Sequence, residues 1–96
     1  MIKIKDLEKY FGTTFDELLN NNDIVEIGDD IELAWKDYCE WEFNVYGEDI
    51  KALEDEFKKW VKELNNVKDL MEYELSTYQR HFQLDNGKIY YLNSYD

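Results

Sequence analysis

The sequence has no proline, four glycines, one cysteine and one histidine among its 96 residues. Each shortage removes a class of chemistry. Cys39 is alone, so no intrachain disulfide can form, and a cytoplasmic setting is predicted. One His (His81) and one Cys cannot assemble a His/Cys metal cluster within a chain. The scattered glycines supply neither a GxxxxGK[ST] nor a GxGxxG loop, so no phosphate cradle is expected. No apolar run approaches the ~18 residues of a membrane span, and no basic-plus-apolar leader follows Met1. Residues 23–28 fail the calcium-loop pattern because Val25 and Ile27 stand where oxygen ligands belong. These gaps predict a soluble protein that is not an enzyme, with no catalytic residue, metal or cofactor. Cys39, set among aromatics, reads as a small core residue, and His81, beside Phe82, as a surface or strand-face histidine.

Acid and aromatic residues are abundant instead. Sixteen Tyr, Trp and Phe residues can supply the core of one domain spanning 1–96. Twenty-three acids against eleven bases give a net charge of −12, which disfavours bare nucleic acid and anionic membranes as partners. The charge is uneven: residues 16–56 hold fifteen acids opposed by Lys36 and Lys51 alone, and the rest is nearly neutral.

Residues 46–65 carry the strongest helix signal. Ile50, Leu53, Phe57, Trp60, Val61 and Leu64 recur on one face, and Glu54–Lys58, Asp55–Lys59 and Lys59–Glu63 are possible i,i+4 pairs. Ile4, Leu7, Tyr10 and Phe11 predict a helix stopped by Gly12, and Thr14 with Glu17 forms a capping-box pattern opening a second. Residues 24–27 read as a strand. Residues 31–46 fit a helix face (Ile31, Trp35, Tyr38, Trp41) or a strand alternation (Cys39, Trp41, Phe43, Val45). With no Gly or Pro to divide them, a helix over about 30–43, started by Asp29, is preferred to a meander. Residues 70–78 allow a further helix or a strand. Asn86-Gly87 between apolar alternations predicts a C-terminal β-hairpin with both turn residues at positive φ. The expected fold is α+β: a small single domain with helices on one face of a short antiparallel sheet.

Tyr46-Gly47-Glu48-Asp49-Ile50-Lys51-Ala52-Leu53-Glu54-Asp55, followed by Trp60-Val61, resembles the inhibitory loop and second helix of the barstar family of ribonuclease inhibitors. The resemblance implies that Asp55 would plug a nuclease phosphate site, with Tyr46 and Gly47 forming the turn before it. Lys51 and Glu54 depart from the family, which has Asp and Trp there. Small size, acidity and Lys/Asn/Ile/Tyr-rich usage also resemble phage inhibitors of restriction and CRISPR nucleases that act as nucleic-acid mimics. Both resemblances imply carboxylates imitating phosphates in the groove of a basic nucleic-acid-binding protein, a nuclease or CRISPR effector, in the host cytoplasm. Asp29, Asp30, Glu48, Asp49, Glu54 and Asp55 are the candidate groove-facing acids, with Tyr46 as an aromatic anchor. A barstar-like immunity protein against a ribonuclease toxin and an adaptor with an aromatic binding face are the alternatives.

Overall fold

A computed structural model describes residues 1–41, 50–73 and 77–93, apart from the side chain of Trp41. Helices α1 (Ile4–Phe11) and α2 (Phe15–Asn20) lead to strand β1 (Ile24–Gly28) and helix α3 (Ile31–Trp41). Then come α4 (Ile50–Glu63), a single turn α5 (Val67–Leu70) and a 3₁₀ turn at Tyr78–Arg80. Strands β2 (His81–Gln83) and β3 (Ile89–Leu92) follow. The helical reading of 31–46 holds through Trp41, and the rest of that stretch lies outside the described residues, as does the start of the predicted 46–65 helix.

The fold is α+β, with an antiparallel sheet ordered β1-β3-β2. One expectation fails: the helices cover both faces. Tyr90, Leu92, Phe82 and Ile24 pack with α1, α2 and α5 residues such as Leu7, Leu18 and Leu70. On the opposite face Ile89 packs with Trp35 and Tyr38 of α3 and Phe57 and Val61 of α4. Successive strand side chains alternate between faces, so the middle strand β3, covered on both sides, has no polar face. The unbroken Ile89-Tyr90-Tyr91-Leu92 run is its sequence mark.

Local chemistry explains the element ends. Gly12 (φ 69°) closes α1, its N–H donating to Glu8 O at 2.8 Å. Lys3, at the N-cap of α1, contributes no side-chain cap. Asp85 in the β2–β3 turn accepts from Ile4 N–H at 3.2 Å, so the hairpin caps the first helix across the fold. Thr14 Oγ1 accepts from Glu17 N–H as its pattern predicts, while Glu8 accepts from Phe15 N–H at 2.8 Å. The cap of α3 is Asp30 rather than Asp29: its carboxylate accepts from Glu32 N–H at 2.9 Å. The hairpin turn also differs from expectation, since Gly87 (φ 84°) but not Asn86 has positive φ. Gly87 N–H donates to Leu84 O and Leu84 N–H to Lys88 O, the pattern of a three-residue loop with a single left-handed position.

Candidate partner-binding surface

Helix α4 contains four acids and four lysines, so its net charge is zero. Its charges also hold one another. Lys58 Nζ bonds Glu54 at 3.0 Å and Glu32 of α3, tying the two helices together. These bonds, first with Glu32 and then with Glu54, hold the Lys58 pKa above its ordinary value. Asp55 pairs with Lys51 at 3.0 Å, one turn before it, rather than with Lys59. Glu54 is half-buried and pairs within α4 with Lys58, whose other partner, Glu32, belongs to α3; Asp55 is exposed. Tyr46, Glu48 and Asp49 lie outside the described residues.

The unbalanced acidity lies earlier in the chain. Residues 16–40, covering α2, β1 and most of α3, hold nine acids against Lys36 alone. Seven of the nine are exposed: Asp16, Glu17, Glu26, Asp29, Asp30, Glu32 and Glu40. Glu26 is bridged to Lys88 at 3.2 Å, which raises the Lys88 pKa. Among the described residues, the carboxylates of Asp16, Glu17, Asp29, Asp30 and Glu40 have no cation within 4.0 Å. Asp29 and Asp30 share an open cleft of about 320 Å³ with Ile31, Lys62, Gln83 and Ile89. Asp23 and Asp37 are half-buried, and at Asp37 burial, then Glu40, pushes the carboxyl pKa up.

The structure therefore brings Asp29 and Asp30 together and sets Glu54 and Asp55 apart from them on α4, at its start rather than near Lys62. Asp16, Glu17 and Glu40 were not singled out from sequence, although the nine-to-one acid excess over residues 16–40 marks them.

Neither reactive side chain opens onto this surface as a nucleophile or base. His81 is 2% exposed, held between Phe57, Tyr38 and Tyr91 rings, with Nδ1 3.0 Å from Tyr78 O. It is a strand-face histidine and not a surface one. Burial lowers its pKa to about 4. Cys39 is half-buried against the α3–α4 core cluster, and burial, then Glu54, raises its thiol pKa. Arg80 carries no signal in the sequence, yet it is 4% exposed. Its guanidinium donates to Leu92 O at 3.2 Å and Tyr73 O at 2.8 Å, tying the 3₁₀ turn to β3. Among the described residues no group of three His, Cys, Asp or Glu could hold a metal ion, and no helix is long and apolar enough to cross a membrane.

The aromatics are mostly spent on the core: Trp35, Tyr38, Phe57, Phe82 and Tyr90 are buried. Tyr10 is the one exposed aromatic among those whose side chains are described. No protein-family model matches the chain, and no curated protein or solved structure does.

Proposed function

We propose that this protein is an acidic inhibitor that occupies the nucleic-acid-binding groove of a basic partner, a nuclease or CRISPR effector of the host cytoplasm. Its carboxylates stand in for phosphates, and it performs no catalysis of its own. The observation that carries the reading is the acidic segment 16–40: nine acids to one base, seven of them exposed, five with no cation within 4.0 Å among the described residues. A net −8 corresponds to the charge on roughly 14 Å of duplex at about one charge per 1.7 Å. Unpaired surface carboxylates are hydrated at little cost and keep their long-range field, so they can steer a basic partner and then displace its counterions. Asp29 and Asp30 are the groove-facing pair. Asp55 is a weaker candidate because Lys51 already neutralises it.

The test is competition. The basic protein captured from a host lysate is offered labelled duplex DNA or RNA with and without this protein. Displacement of the nucleic acid is expected, with inhibitor affinity falling at least tenfold from about 50 to about 200 mM salt. A partner that holds nucleic acid and this protein at once, or binding indifferent to salt, would overturn the reading.

A further inference from the structure

Between α4, α5 and the 3₁₀ turn lies a cleft of about 280 Å³, lined by Trp60 and Leu64 with Tyr78 beside them. We propose that this cleft is a second contact site, distinct from the acidic segment, and that it receives an arginine side chain of a basic protein partner. Glu56, Trp60 and Glu63 recur at i, i+4 and i+7, which places two carboxylates on either side of the indole along one helix stripe. Asp69 of α5 adds a third carboxylate. Lys59 is the one cation at the rim, and among the described residues it lies within ion-pair distance of none of them. The described lining residues therefore carry a net charge of −2, three carboxylates against Lys59.

The aromatic wall is held in place. Trp60 Nε1–H donates to Gln79 O at 3.1 Å, and Tyr73 stands nearly perpendicular to the indole, centroids 5.1 Å apart. With its N–H committed, the indole has only ring surface to offer an incoming group. The volume is just below the roughly 300–1,000 Å³ of pockets that enclose a whole small molecule, and suits one long side chain. A planar cation that stacks on indole while its edge meets carboxylates is a guanidinium; an ammonium provides the charge without the planar fork. An acidic partner segment is excluded by the carboxylates and by the net −12 of the chain.

The probe is N-acetyl-arginine amide, titrated into the intact protein while the Trp60 indole N–H resonance is followed by NMR. A saturable shift is expected, weaker with the lysine analogue and absent with the uncharged glutamine analogue. In Glu56→Gln/Glu63→Gln, exposed positions where Gln keeps helix propensity, the apparent Kd should rise by about threefold or more, with the rest of the spectrum unchanged. A shift that never saturates, an equal response to lysine or glutamine, or a response unaltered in the double variant would each overturn the assignment. None of these outcomes depends on whether the acidic segment displaces nucleic acid.

Discussion

Helix α4 and the segment 16–40 look alike in composition, both rich in Asp and Glu, and differ in what surrounds each carboxylate. At the start of α4, Glu54 and Asp55 are paired with Lys58 and Lys51, and Lys58 also reaches Glu32 to fasten α3. Along 16–40 the acids outnumber the bases nine to one, and those on α2, at Asp29 and Asp30, and at Glu40 are exposed with no cation within 4.0 Å among the described residues. Count alone does not make a binding surface. A carboxylate balanced by a neighbour contributes little field beyond a Debye length of about 8 Å, whereas an unbalanced row acts on a partner before contact.

Four experiments press on that contrast. The largest effect should come from Phe57→Ala, which empties the position where α4 meets Trp35, Tyr38 and His81. A loss of about 3–5 kcal/mol in chemical denaturation is expected, and a loss below about 1 kcal/mol would remove α4 from the role of scaffold. Next is acid. His81 has a folded pKa of about 4 against an ordinary 6.5, so the unfolded chain binds its proton first. Stability is therefore full above pH 6.5 and declines as pH falls toward 4, by about 3 kcal/mol for this group. An imidazole NMR titration with a midpoint near 6.5 would contradict that burial.

Third, Asp29→Asn/Asp30→Asn should weaken partner binding about tenfold (on the order of 1.4 kcal/mol). Asp55→Asn, which leaves Lys51 beside Glu54 at 3.9 Å, should change it about twofold or less. Equal effects would erase the distinction between the two regions. The smallest expected change separates the two duties of Asp30. Asp30→Ala removes the cap of α3 and should cost about 1 kcal/mol of folding stability, while Asp30→Asn retains the cap and should cost little. Thermal denaturation of the two variants side by side measures this.

Elements governed by neighbouring residues were legible. The apolar recurrence of α4, the Gly12 stop, the Thr14 cap and the position of the C-terminal hairpin all follow from contacts within a few residues. Details that depend on one hydrogen bond were misread. Asp30 displaced Asp29 as the cap because its carboxylate reaches Glu32 N–H, and Asn86 avoided positive φ because Gly87 alone satisfies the three-residue loop. Among the candidate acids, Asp29 and Asp30 could be grouped from sequence because they are adjacent. Nothing in the sequence showed that Lys58 would choose Glu54 and Glu32 together, since Glu32 is 26 residues away.

Taken alone, the sequence determined the acid excess, the helix and strand segments, and the shortage of residues for metal, disulfide or phosphate-loop chemistry, because these depend on composition and short-range periodicity. Tertiary structure decided that helices cover both faces of the sheet, that Arg80 and His81 are interior, and that Lys58 of α4 joins Glu32 of α3. Those outcomes depend on which distant side chains share a neighbourhood, and burial and pairing belong to the neighbourhood.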